Sequence, residues 1–125
     1  MPFTTSIGNA ILNKLLKGTD FTDPTDWDIS LHTGDPGQNG ANEVSGGSYA
    51  RQEPSFDTVA SKEVTTDADI EFTSMPSCTV THLGLWGYIG STWTFIWGGA
   101  LDSSKAVGAG DTAKIGAGNL DAVLT

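Results

Sequence analysis

Two histidines, one cysteine, a serine-flanked glycine pair and a cluster of aspartates are the side chains of this chain with the reach for nucleophilic or metal chemistry, and their spacing decides what they can do. Cys78 and His82 stand an even number of residues apart, so in a strand they point to one face. A structural zinc centre needs about four ligands, and no second pair accompanies them in sequence. Ser45-Gly46-Gly47-Ser48 offers two hydroxyls, but a nucleophile elbow requires a strand running into a helix, and neither His32 nor His82 is adjacent. Asp20, Asp23, Asp26 and Asp28 have the oxygen chemistry of a hard-cation loop. Counted from Asp20, however, Thr25 and Leu31 fall where the calcium helix-loop-helix needs Gly and Glu. Glu43, Glu53, Glu63 and Glu71 are glycosidase-type carboxylates by residue type alone, with nothing that sets a pair across a cleft. These patterns assign no catalytic, cofactor-binding or metal-ligating residue, and the chain reads as non-enzymatic.

Binding chemistry is better supplied. Trp86, Tyr88, Trp93, Phe95, Ile96 and Trp97 concentrate large apolar surface in one stretch. Simple alternation puts Trp93, Phe95 and Trp97 on one strand face and Thr92, Thr94 and Ile96 on the other. Such a face fills a core or forms an interface, where Trp, Tyr and Arg are enriched; exposed rings would also stack on the apolar faces of sugars. Tyr49 and Arg51 lie two apart and share a face. They form either a rigid amphipathic contact or a packed tyrosine with the arginine stem laid over apolar surface. Near the start, Ile7, Ile11, Leu12, Leu15 and Leu16 recur at helical spacing, with Ser6 able to cap, Lys14 and Lys17 suited to the C-terminal end, and Gly18 able to stop the helix. A helix this short is marginal alone, so its apolar face must cover the sheet or a neighbouring subunit. The candidate interface residues are therefore Ile7, Ile11, Leu12, Leu15, Tyr49, Arg51, Trp86, Tyr88, Trp93 and Trp97.

The elements that must position these residues are strands. Sixteen glycines, five prolines and few long charged side chains favour short strands and turns over a helical bundle. Trp27 to Thr33 alternates apolar and polar, Tyr49 to Gln52 and Phe56 to Ala60 are further expected strands, and Asp69 to Thr73 alternates again. Cys78 to Trp86 and Thr92 to Trp97 make the clearest hairpin. Lys105 to Val107, Thr112 to Ile115 and Leu120 to Leu124 follow, separated by glycine-rich turns. The expected fold is all-β: one domain over 1–125, with a helix at 6–17 and a two-sheet β-sandwich at 26–125, of jelly-roll or immunoglobulin-like type.

Charge excludes some partners. With Asp and Glu at 15 against six Lys and Arg, the formal net charge is -9, which opposes binding to nucleic acid or anionic membranes. The charge is uneven: twelve of the carboxylates lie between Asp20 and Glu71. That half is either a solvating surface or one steered toward a basic partner. The lone Cys78 precludes an intrachain disulfide and suits synthesis in a reducing cytoplasm. The sequence carries neither a signal-peptide pattern nor an apolar run of about 20 residues that would span a bilayer.

Leu31-His32-Thr33-Gly34-Asp35-Pro36-Gly37 followed by Glu43-Val44-Ser45-Gly46-Gly47-Ser48-Tyr49-Ala50-Arg51-Gln52 resembles the signature of a family of small tailed-bacteriophage structural proteins. The resemblance runs on through Thr79 to Trp86 and Gly108 to Thr112. It implies a part of the phage particle, found in the virion and partnered by copies of itself and by other virion proteins, the major capsid protein foremost. The expected role is a capsid decoration or cement protein that holds the shell by buried apolar area. The alternative is a tail-fibre or tail-tip component touching host glycan through the Trp86 to Trp97 hairpin.

Overall fold

The structure, a computed structural model, describes residues 3–123. It is all-β with one short N-terminal helix: α1 (Thr5–Lys17), β1 (Trp27–His32), β2 (Glu63–Thr65), β3 (Ile70–Phe72), β4 (Cys78–Ile89), β5 (Thr92–Val107), β6 (Ala113–Ile115) and β7 (Asp121–Val123). A three-stranded antiparallel sheet in the order β1-β4-β5 is the main layer; two ribbons, β2-β7 and β3-β6, complete the sandwich. The β4-β5 hairpin closes through Gly90 and Ser91, both at positive φ (55° and 69°), the conformation whose twist matches the flanking strands. Lys105 to Val107 belongs to β5 rather than to a strand of its own. Leu124, at the end of the expected last strand, lies outside the described residues.

Three expectations are corrected. Tyr49 to Gln52 and Phe56 to Ala60 contribute only isolated bridges, Gln52 to Ile29, Phe56 to Thr66 and Ala60 to Glu63, because the glycines and Pro54 around them deny the backbone a continuous ladder. Glu63–Thr65, which lacks a clear alternating apolar pattern, pairs with β7 instead. The helix starts at Thr5 with Thr4 at the N-cap position and no side-chain cap; the Thr4 hydroxyl donates to the Phe95 carbonyl oxygen at 3.3 Å, and Ser6 does not cap. Tertiary anchoring displaces local capping there.

Register sorts the side chains onto two faces. Ile29 and Leu31 of β1 stand opposite Leu85 and Leu83 of β4, and Trp97 stands opposite Leu85. These join Phe72, Ile70, Met75, Val80 and Leu120 in one apolar core. Between Leu85 and Trp86 the β4-β5 register shifts, so that Leu85 faces Trp97 but Trp86 faces Phe95. One extra residue on β5 switches the faces of everything beyond it. Phe95 and Trp97, two apart, consequently point to opposite sides: Trp97 is 1% exposed in the core, while Phe95 meets Trp86 edge-on at 5.1 Å on the other face. A larger irregularity sets Leu101 to Ser104 of β5 against the single residue Thr81 of β4.

That other face is roofed by the loop that follows β1. Pro36 is buried and packs where a Cβ on Gly98 would lie 2.7 Å from its ring. Gly40, at φ 75°, rests on Trp86, where a Cβ would stand 2.3 Å from an indole carbon. A side chain at Gly40 would thus suffer both a left-handed backbone and a ring clash. Gly40→Ala is expected to destabilise by about 2–4 kcal/mol, combining backbone strain with overpacking. The chemical-denaturation midpoint measures it, and an unchanged midpoint would show that the roof is not held against Trp86.

Candidate interaction surface

Beneath the roof, the residues with the most chemical promise are sealed. The Ser30 hydroxyl lies 2.7 Å from His32 Nε2 and the ring's Nδ1 lies 2.7 Å from the Ala41 carbonyl oxygen. A carbonyl only accepts, so Nδ1 carries the proton, Nε2 accepts from Ser30, and the Ser30 oxygen is left to accept from Trp86 Nε1–H at 2.9 Å. The chain Trp86 to Ser30 to His32 to Ala41 is thereby a one-way relay in which every polar group has a partner. It has the atoms of a serine–histidine dyad, but both residues are 0% exposed, and a nucleophile that no substrate can reach performs no attack. Its work is to fix β1 to β4 and to hold the loop at Ala41.

A second clasp secures the rest of the loop. Arg51 donates to both carboxylate oxygens of Glu43, at 2.9 and 2.8 Å, and the Tyr49 hydroxyl donates to Glu43 Oε2 at 2.9 Å. The Tyr49 oxygen accepts in turn from the Leu31 amide at 3.0 Å, while its ring stacks on Phe72. The Arg51 guanidinium lies 3.8 Å from the centroid of the Trp86 ring, a cation–π contact. Burial pushes the Glu43 carboxyl up, but the hydrogen bonds from Arg51 and Tyr49 outweigh it and hold the group below its ordinary range. The bond to Glu43 likewise raises Arg51, and burial raises Tyr49. Tyr49 and Arg51 are thus committed inside the chain, converging on a carboxylate that the spacing of the two residues did not reveal.

The remaining polar expectations disperse. His82 Nδ1 meets the neighbouring Thr81 hydroxyl at 2.8 Å rather than Cys78. Asp20 pairs with Lys14, Asp26 accepts from the Trp27 amide, and the Asp28 carboxyl is raised by burial and by Asp26. Among the described residues, no group of three or more His, Cys, Asp or Glu is placed to hold a metal ion, and no helix is long and apolar enough to cross a membrane.

What is left on the surface is apolar and concentrated in α1. Thr4 N–H donates to the Ile96 carbonyl at one end and Thr25 N–H to the Tyr88 carbonyl at the other, so 5–24 is a loop tied at both ends to the hairpin. The helix alone is about 20 Å long at about 1.5 Å per residue. It buries none of its residues. Ile7 packs partly against the core, and exposure then climbs through Leu12 (55%) to Leu15 (71%) and Leu16 (78%). Every residue from Leu12 to Asp23 is exposed. At about 100° per residue, Ile7, Ile11, Leu12, Leu15 and Leu16 occupy roughly half the circumference, opposite Asn9, Asn13 and Lys17. Of the aromatic candidates, Trp86, Tyr88 and Trp93 are half-buried and only Trp97 is wholly internal.

Burial lowers the affinity of His32 for a proton, with the Ala41 carbonyl opposing. A histidine whose folded pKa is depressed leaves the unfolded chain binding more protons, so stability falls as pH drops from about 7 toward about 5. Denaturation midpoints across that window should decline, and His32→Gln should lower the plateau but flatten the slope. An unchanged slope would assign the pH dependence elsewhere.

A search of curated proteins finds no match. A family of known proteins does match, described as Podophage GP4 fiber I protein gp80, and the match covers residues 2–123. The chain, an all-β body with one short N-terminal helix, is a phage virion structural protein and belongs to the Podophage GP4 fiber I protein gp80 family.

Proposed function

We propose that this chain is a non-enzymatic component of a podophage tail fibre, held in place by α1 packing against the α1 helices of other copies. The family description supports the fibre over the capsid-surface role expected from the sequence, which has no independent support. The observation that carries the docking element is the exposure of Leu12, Leu15 and Leu16 on a helix that touches its own core only through Ile7 in its first turns.

Copies of α1 suit one another. The face centred on Leu12 and Leu15 is too wide for a two-helix seam, which uses only two positions in seven. Lys17 lies on the opposite side with Asn9 and Asn13, and Lys14 at the edge of the apolar face is paired with Asp20, so among the described residues no unpaired charge lies within the face where identical helices meet. Burying the leucines contributes about 25 cal/mol per Å2 before ordering costs, repeated in each copy. The sealed Ser30–His32 pair supports the absence of catalysis.

Replacing Leu15 and Leu16 by Asp tests the reading, because neither residue supports the fold. Sedimentation velocity should show concentration-dependent association of the wild-type chain and its loss in the double variant, with the melting temperature within a few degrees of wild type. The double variant should also fail to appear on the tail in electron micrographs of assembled phage labelled with specific antibody. A wild-type chain that stays monomeric, and a variant incorporated as well as wild type, would overturn the proposal.

A further inference from the structure

On the roofed face, where the loop carrying Gln38 and Asn39 meets the start of α1 and the hairpin, lies an open groove of about 340 Å3. Its size is at the lower end of ligand sites, roughly 300–1,000 Å3. Trp86 and Trp93 line it together with Gln38, Asn39, Thr94 and Ser6. On a protein of net charge -9, no residue lining this groove is charged. Its polar groups are amides and hydroxyls, which donate and accept without selecting an ion.

The aromatic part of the wall is pre-set. Trp86 is fixed through Nε1 by Ser30, by Arg51 at 3.8 Å and by Phe95 at 5.1 Å. Trp93 is held against Tyr88 with ring centroids 5.2 Å apart. Gln38 Oε1 accepts from the Thr5 amide at 2.8 Å, which orients the side chain and leaves its NH2 to donate. Asn39 is exposed and its side chain makes no hydrogen bond among the described residues. Rigid indole beside free amide and hydroxyl groups matches a ligand with an apolar ring face and a rim of hydroxyls, and a pre-organised wall keeps the ordering cost of binding low.

We infer that this groove is a binding site for a neutral saccharide, one or two rings long, with Trp93 supplying the ring contact and Gln38 and Asn39 the hydroxyl contacts. The inference goes beyond assembly through α1 and does not depend on it. The Leu15→Asp, Leu16→Asp chain should bind sugar as wild type does, so failure of either reading is separable from failure of the other.

The test titrates the full chain with methyl glucoside, methyl galactoside, methyl mannoside, N-acetylglucosamine and their short oligomers, with glucuronic and sialic acids as charged comparators. Tryptophan fluorescence and saturation-transfer NMR report binding. At least one neutral sugar should give a saturable response, weakened about tenfold by Trp93→Ala and about threefold to tenfold by Asn39→Ala, the scale of one lost contact or hydrogen bond. Asn39 is exposed, so its variant keeps the test valid should Trp93→Ala fail to fold. Absence of any saturable response, a response confined to the acidic sugars, or binding undiminished in the folded variants would overturn the assignment.

Discussion

The relay from Trp86 through Ser30 and His32 to the Ala41 carbonyl is the constraint on which the rest of this protein depends. It joins β1 to β4 and ties both to the loop beyond, through a Ser30–His32 pair that is wholly buried. A buried polar chain of this kind tolerates no half-measures: with every member partnered it specifies one arrangement, and with one member missing it leaves a desolvated donor or acceptor costing about 1–3 kcal/mol. The loop over the hairpin is irregular, and irregular backbone needs such pinning to hold a single shape. Pro36 on Gly98, Gly40 on Trp86 and the Glu43–Arg51–Tyr49 clasp all follow from the loop being held down at Ala41.

One sheet therefore serves two purposes. Its first face is the apolar core around Ile29, Leu31, Leu83, Leu85 and Trp97, which provides the stabilising burial. Its second face is a polar and aromatic platform, finished internally near His32 and open near Trp93. The register shift beside Trp86 makes the division possible. Without it, Phe95 and Trp97 would share a side, and the core would lack its largest filler or the platform would lack the ring that supports Trp86. In contrast, α1 is fixed only where its first turn meets the sheet, and its greatest exposed apolar surface lies farthest from that anchor. This chain thus keeps its Ser30–His32 pair inside and leaves the apolar residues Leu12, Leu15 and Leu16 outside.

Much of this was legible in advance. Alternation marked β1 and the β4-β5 hairpin, and the 3.6-residue recurrence of Ile7, Ile11, Leu12, Leu15 and Leu16 marked α1, because each pattern is local and periodic. The wide apolar face of α1 already required either a sheet or another subunit to cover it. Less legible was Glu63–Thr65, whose pairing with β7 comes from chain segments brought together rather than from its own residues. The expected strand at Tyr49 to Gln52 also failed to extend beyond a single bridge from Gln52 to Ile29, since the flanking glycines and Pro54 interrupt the backbone ladder.

By itself, the sequence determined the all-β class, the helix and the hairpin, since these rest on composition and on spacings within a few residues. Only the tertiary structure decided which rings are inside. A single extra residue in β5 reverses side-chain parity, and nothing in the local pattern announces where the ladder will absorb it. The tertiary structure also decided that His32 and Ser30 form a closed relay rather than a reactive pair, because solvent access depends on a roof drawn from residues up to Arg51. Contacts between distant segments set burial, and burial decides whether a polar side chain reacts, binds or merely holds the fold together.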